Sequence, residues 1–135
     1  MTQEDRELLL KDLGGRLPYG VKILDVPANV VGKLFLISTT DRVQYETADD
    51  TGIQTLYNIK PYLLPLSSMS LDQKREYYML QDDGLSYNCI YGEIVNTTES
   101  YDNWRSIDYL NTNHFDYRGL IEKGLAIDAT GLNIY

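Results

Sequence analysis

The amino-acid sequence predicts an α+β fold, with a small antiparallel sheet in the N-terminal half packed by three to four helices. Short runs rich in β-branched and aromatic residues fill much of the first half and predict strands. Helix-capping patterns precede and follow these runs, and neither an internal repeat nor a long linker divides the chain. A chain of 135 residues can bury a real core, so we expect residues 1–135 to form a single domain.

The first predicted element is a helix over residues 3–13. Thr2 is in position to cap it, with Asp5 three residues further on. Its apolar stripe consists of three leucines: Leu8, Leu9 and Leu13. Gly14 and Gly15 follow directly, and glycine favours the end of a helix.

Residues 20–58 are predicted to form antiparallel strands, after a turn over residues 16–20. The strand-like runs are separated by turn residues and comprise residues 21–26, 32–38, 42–46 and 53–58. Short strands in direct succession favour hairpins. Four of them form either a meander or a small, strongly bent, SH3-like barrel, and the sequence leaves both forms open.

Two prolines decide the prediction for the next segment. Pro61 and Pro65 each lack a backbone N–H and disfavour a helical residue before them. We therefore predict a connector over residues 59–69. It is apolar enough to lie across the sheet.

A second helix is predicted over residues 70–81. Ser70 and Gln73 have the spacing of a capping box, in which each side chain bonds the backbone N–H of the other residue. Turn residues follow and end the helix. The next stretch, residues 85–95, alternates imperfectly and is compatible with a hairpin or an ordered loop.

Two helices joined at a corner are predicted over residues 100–124. In the first helix three apolar residues share one face: Trp104, Ile107 and Leu110. The corner follows at residues 113–116. Asp116 is the predicted cap of the last helix, and Gly124 is its predicted end.

The net charge of −8 is concentrated in the second half of the chain. Between Glu76 and Asp116 there are eight acidic residues and one base, Arg105. Such a surface repels a phosphate backbone, so we expect no direct binding of nucleic acid.

Composition also argues against several other classes of protein and site. No apolar run approaches the roughly 20 residues that span a bilayer, and the acidic N-terminus is unlike a secretory signal. We therefore expect a cytoplasmic protein without membrane contact. A lone cysteine, Cys89, and a lone histidine cannot build a four-ligand zinc site without carboxylates. The sequence predicts no cofactor, metal ligand or catalytic residue.

The most conspicuous group of functional side chains lies at the predicted corner: His114, Phe115, Asp116, Tyr117 and Arg118. A histidine acts as a general base when a nucleophile or substrate is held within about 3 Å, and the sequence indicates neither. We therefore expect the imidazole to fix the corner and Phe115 to enter the core. The alternative is a pocket around His114 in a small hydrolase or a ligand-sequestering protein.

Acids and tyrosines dominate the segment between the second and third predicted helices. Tyrosine provides a large contact area at a small entropic cost, and an acidic rim attracts a basic partner. We predict a partner-binding surface of seven residues: Asp82, Asp83, Tyr87, Tyr91, Glu93, Glu99 and Asp102.

Three pieces of the chain, residues 17–22, 60–69 and 114–126, resemble a group of small uncharacterised proteins carried by prophages and mobile elements of anaerobic gut bacteria. The resemblance implies a phage or mobile-element origin and a cytoplasmic site of action. It implies no activity, cofactor or catalytic residue.

Taken together, these observations favour a non-enzymatic binding protein. Its partner is expected to be a host or phage protein with a basic contact surface, because the predicted binding surface is acidic. A phage structural or assembly component is a further alternative. The sequence leaves the oligomeric state open.

Overall fold

The structure combines α-helices with a mixed β-sheet. The structure is a computed structural model that describes residues 1–80 and 104–135. The α-helices within these residues are α1 (Gln3–Arg16), α2 (Leu71–Leu80) and α3 (Trp104–Thr112). The strands are β1 (Lys22–Asp25), β2 (Val30–Ile37), β3 (Arg42–Glu46), β4 (Thr51–Thr55), β5 (Ile59–Pro65), β6 (Phe115–Asp116) and β7 (Ile127–Asp128). The predicted α+β class is confirmed.

The strands form one mixed sheet in the order β4-β3-β2-β1-β5-β6, and β7 also pairs with β5. Strands β1 to β4 are antiparallel neighbours, and β5 is antiparallel to β1. The two-residue strands β6 and β7 run parallel to β5 at different positions along it. The prediction of a four-stranded sheet is therefore wrong, because the described strands number seven. They form an open sheet, not a closed SH3-like barrel.

Strand β5 corrects the connector that was predicted for residues 59–69. The Val26 N–H donates to the Asn58 carbonyl at 2.9 Å, which makes this pair a hydrogen-bonded one. Hydrogen-bonded and non-hydrogen-bonded pairs alternate along an antiparallel ladder. The pair of Pro61 with Ile23 is therefore of the second kind, where β1 requires no donor. The proline is compatible with the sheet for this reason.

Helix α1 begins as the sequence predicts and ends later. The Thr2 hydroxyl accepts a hydrogen bond from the Asp5 N–H at 3.1 Å. The helix then continues through both glycines to Arg16, so the predicted end at residue 13 is wrong. Asp12 and Arg16 are both 0 % exposed. Their buried contacts hold the last turn in helical form despite the low helix propensity of glycine.

Gly14→Ala is expected to stabilise the protein by about 0.5–1 kcal/mol. Gly14 is exposed within α1, and a Cβ at this position would meet no heavy atom within 4 Å. The methyl group therefore restricts the unfolded chain without a clash in the folded one. Urea unfolding measures the change. Gly15→Ala is the matched comparison and should gain less, because its Cβ would lie 3.3 Å from Asn111 Nδ2. A loss of stability in Gly14→Ala would contradict a continuous helix.

Helix α2 begins with the predicted capping box. The Ser70 N–H donates to Gln73 Oε1 at 2.9 Å, and the Gln73 N–H donates to Ser70 Oγ at 3.1 Å. Tyr77 and Tyr78 are buried on the inner side of this helix. The predicted end at residue 81 lies outside the described residues.

The C-terminal region differs from the two helices predicted over residues 100–124. Within the described residues the first of them is α3, in which Leu110 is buried and Ile107 is half-buried; the side chain of Trp104 lies outside the description. The predicted second helix is replaced by hydrogen-bonded turns, so that prediction is wrong. Gly119 and Gly124 both have φ of 74°, a left-handed conformation that interrupts a right-handed helix.

The core lies between the inner face of the sheet, helix α1 and the turns that follow β6. Its main cluster consists of Leu9, Leu13, Val21, Ile23, Leu34, Val43, Tyr45, Leu56, Ile59, Leu63, Leu120, Leu125 and Ala126. A smaller cluster joins the two later helices to β6 through Met69, Tyr77, Leu110 and Phe115. Among the helices of the described residues, none has the length and apolar character needed to cross a bilayer.

Candidate functional site

The predicted partner-binding surface lies outside the described residues. This applies to all seven of its members: Asp82, Asp83, Tyr87, Tyr91, Glu93, Glu99 and Asp102. Every basic side chain of the protein lies elsewhere, so residues 81–103 carry five acids and no base. The charge argument for this surface therefore rests on the sequence.

The corner at His114 is built by a left-handed residue. His114 has φ of 64°, and its carbonyl accepts the Leu64 N–H at 2.8 Å, which attaches the corner to β5. The imidazole stacks on the ring of Tyr135, with centroids 3.5 Å apart and planes 9° from parallel. The Tyr135 hydroxyl donates to the Tyr62 carbonyl and accepts the Lys22 N–H, each at 2.8 Å. The ring of the histidine is thus packed against a side chain that is itself held by two strands.

Burial lowers the pKa of His114 to about 4, and the nearby charges of Arg16 and Lys22 act in the same direction. The imidazole is therefore neutral at pH 7. Its Nδ1 is buried without a hydrogen-bond partner in the described part of the chain. A neutral ring that stacks face to face on tyrosine functions here as a packing group.

Lowering the pH from about 6.5 towards 4 is expected to reduce the stability of the protein. In this interval His114 binds a proton in the unfolded chain but not in the folded one, so acid favours unfolding. The histidine component is of the order of 1–3 kcal/mol, and it levels off below the folded-state pKa. Chemical unfolding at a series of pH values measures it. His114→Asn is the control, because asparagine tolerates a left-handed φ and does not titrate. Parallel pH curves for the two proteins would contradict the prediction.

Asp116 bonds the backbone of the turn that follows it. Its Oδ1 accepts the Leu120 N–H and its Oδ2 accepts the Ile121 N–H, each at 3.0 Å. This is the capping role that the sequence predicts, although it serves a turn instead of a helix. Phe115 is 1 % exposed and enters the smaller core cluster.

Tyr117 and Arg118 contact each other and also contact residues of α1 and α3. The Tyr117 hydroxyl donates to Asn111 Oδ1 at 2.9 Å. The Arg118 guanidinium carbon lies 4.9 Å from the centre of the Tyr117 ring, a cation–π distance. Arg118 Nε is 3.3 Å from Asp12 Oδ1. The two side chains therefore connect the corner to α1 and α3.

A buried ion pair between Arg16 and Asp12 contacts the corner through the carbonyl of Phe115. Arg16 Nε donates to Asp12 Oδ2 at 2.8 Å, and Arg16 Nη2 donates both to Asp12 Oδ1 at 3.2 Å and to the Phe115 carbonyl at 2.5 Å. Arg16 Nη1 has no hydrogen-bond partner within the described residues. Sequence reasoning missed this pair. The available signal was an acid and a base four residues apart, beside the apolar stripe of α1.

A second buried polar network lies under the sheet and was also missed. The carboxylate of Asp25 accepts the Tyr45 hydroxyl at 2.7 Å, the Gln54 amide at 3.1 Å and the Ala28 N–H at 3.2 Å. Burial opposes ionisation of Asp25, but these three hydrogen bonds lower its pKa. The bond to Asp25, together with burial, raises the pKa of Tyr45 to about 12. The network connects β1, β3 and β4 through side chains of the inner face.

Tyr117 and Arg118 contact each other, whereas His114 and Asp116 each contact different partners. His114 contacts Tyr135, Asp116 bonds the backbone of the next turn, and Tyr117 reaches Asn111. Among the described residues, no group of three or more histidine, cysteine or acidic side chains is arranged to hold a metal ion. The contacts that the structure shows at the corner are hydrogen bonds, an ion pair and ring contacts within the fold.

Comparison with known proteins returned no significant match to a family model, a curated protein or a solved structure.

Proposed function

We propose that the chain is a non-enzymatic binding protein that presents an acidic, tyrosine-rich surface to a protein partner. The surface comprises the seven residues named above, within a segment of five acids and no base. A basic partner would be attracted over several ångströms by this charge, and the tyrosines would supply contact area. The proposal includes a phage or mobile-element origin and a cytoplasmic partner.

The proposal depends mainly on one observation, the hydrogen bonds that the Asp116 carboxylate makes to the backbone. Both of its carboxylate oxygens accept backbone N–H groups of the following turn, so the side chain holds that turn in place. Asp116 is 8 % exposed, which limits access to solvent. The corner is the strongest candidate for an active site among the described residues, and its carboxylate serves the fold. This supports a binding function over a hydrolytic one.

Affinity capture from a bacterial lysate at two salt concentrations tests the proposal. The tagged protein should retain a basic partner at about 50 mM salt and release most of it at about 500 mM, because screening shortens the reach of surface charge. A variant with all five acids of residues 81–103 changed to asparagine or glutamine should lose the partner at both concentrations. His114→Asn should retain it.

The opposite pattern would contradict the proposal. If His114→Asn lost the captured partner or ligand while folding normally, and the variant without the five acids kept it, the site would lie at the corner. Oligomers that persist on a sizing column in the absence of any partner would instead favour a structural or assembly component. Circular dichroism of each variant separates these outcomes from simple unfolding.

A further inference from the structure

An apolar group lies on the outer face of the sheet, the face turned away from helix α1. Phe35, Leu36 and Ile53 are 40 %, 39 % and 60 % exposed. Leu36 lies opposite Gln44 in the ladder, and Gln44 lies opposite Ile53, so the polar Gln44 of β3 separates the apolar residues of β2 from Ile53 of β4. The register shift after Leu34 is the reason that Phe35 and Leu36 are both exposed, since a bulge interrupts the alternation of side chains.

Basic side chains flank this apolar group on both sides. On one side Lys33 pairs in the ladder with Lys22 and with Glu46, and on the other side Arg42 lies two residues before Gln44. The Lys33–Glu46 ion pair is weak, because its 3.8 Å contact joins side chains that are half exposed. Arg42 is exposed, and no described carboxylate lies within 4.0 Å of it. The charged residues of β2 to β4 are Lys33, Arg42 and Glu46, which together carry a net charge of +1.

A groove opens beside the group. It has a volume of about 280 Å³ and is lined by residues that include Lys22, Val31, Lys33 and Glu46. Val31 is 40 % exposed, and the exposed Lys33 separates it from Phe35 along β2. The groove thus adjoins Lys33, and its lining does not include Phe35, Leu36 or Ile53.

The free edge of β4 is a poor site for the addition of a further strand. The Leu56 N–H donates to the Asp41 carbonyl, which fixes the alternation of hydrogen-bonded pairs between β3 and β4. Thr51, Ile53 and Thr55 accordingly direct their N–H groups away from β3, towards the edge.

The backbone N–H groups of two of these three residues already donate to side chains. The Thr51 N–H donates to Asp50 Oδ1 at 2.8 Å, and the Thr55 N–H donates to Gln54 Oε1 at 2.9 Å. Only the Ile53 N–H remains as a donor to an added strand, and a single donor makes strand addition at this edge weak. A partner of this sheet would therefore lie on its face.

We propose that the outer face of β2 to β4 binds an acidic, amphipathic segment of a protein partner. Apolar side chains of that segment would pack on Phe35, Leu36 and Ile53, and its carboxylates would meet Lys33 and Arg42. This surface has the opposite sign to the one in the proposed function, and the inference does not rest on that function.

Binding of labelled synthetic peptides tests the inference. The probe is a peptide of about 12 residues in which glutamate alternates with leucine and phenylalanine, compared with the same peptide carrying lysine instead of glutamate. Fluorescence anisotropy should show saturable binding of the acidic peptide alone. Phe35→Ser and the double variant Lys33→Glu/Arg42→Glu should each weaken it about tenfold. The matched controls are Lys11→Glu and Lys123→Glu, which alter exposed lysines elsewhere and should change the affinity less than about twofold.

Three results would overturn the inference. These are equal binding of both peptides, a stronger affinity for a single-stranded oligonucleotide that the same variants remove, and a dimer in sedimentation that Phe35→Ser dissociates. Amide chemical shifts should change on β2 to β4, and changes confined to other elements would also count against it. Capture through the acidic segment should be unaffected by these variants, so failure of the peptide test leaves the proposed function standing.

Discussion

Asp12→Asn is expected to lower the free energy of unfolding by about 3–5 kcal/mol, because it leaves the guanidinium of Arg16 buried without a counter-charge. Both side chains of the pair are fully buried, and Arg16 Nη1 already lacks a hydrogen-bond partner within the described residues. Water therefore cannot replace the lost carboxylate. The expected loss is a large part of the stability of a domain of this size.

Urea unfolding followed by circular dichroism measures this loss. Glu7→Gln is the matched control on the same helix, and it should change the stability by less than about 0.5 kcal/mol because Glu7 is exposed. The double variant Asp12→Leu/Arg16→Met removes both charges and should recover most of the stability. A double variant as unstable as Asp12→Asn would show that packing volume, not the ion pair, determines the effect.

Local signals in the sequence predict the starts of helices well. The bond from the Asp5 N–H to the Thr2 hydroxyl depends on residues three apart, and so does the capping box of Ser70 and Gln73. Such contacts are fixed by spacing alone. They need no knowledge of the rest of the fold.

Strand β5 shows why part of the sheet was not predictable. Its prolines argue against a strand when each residue is considered alone. Pro61 is acceptable only because its ladder position needs no donor towards β1, and that position depends on the register with residues far away in the sequence. The two-residue strands β6 and β7 are too short to give any periodic pattern.

The sequence predicted which residues form the corner, but it did not predict which residues they contact. The sequence identifies Asp116 as a cap from its type and position. The contact between Arg16 and the Phe115 carbonyl joins residues 99 apart in sequence, and the stacking of His114 on Tyr135 also depends on the folded sheet. Contacts of this range carry no local signature. The most important contact that sequence reasoning missed is the buried pair of Asp12 and Arg16, because Arg16 also bonds the Phe115 carbonyl at the corner.

Gly32→Ala is expected to cost about 2–4 kcal/mol, the second largest effect. A Cβ at Gly32 would lie 2.3 Å from Tyr45 Cδ2 and 3.1 Å from the Glu46 carbonyl oxygen. The ring cannot yield cheaply, because its hydroxyl is bonded to the buried Asp25 at 2.7 Å. Displacement of the ring therefore also removes a donor from a buried carboxylate.

A double-mutant cycle with Tyr45→Val separates the two causes of this cost. Tyr45→Val removes the ring, so adding Gly32→Ala to it should cost at least about 1 kcal/mol less than adding it to the natural protein. Unfolding in urea, with all four proteins at one pH, gives the coupling. If the cost of Gly32→Ala were the same in both backgrounds, the obstruction would lie at the Glu46 carbonyl, and the ring would not be what requires glycine at this position.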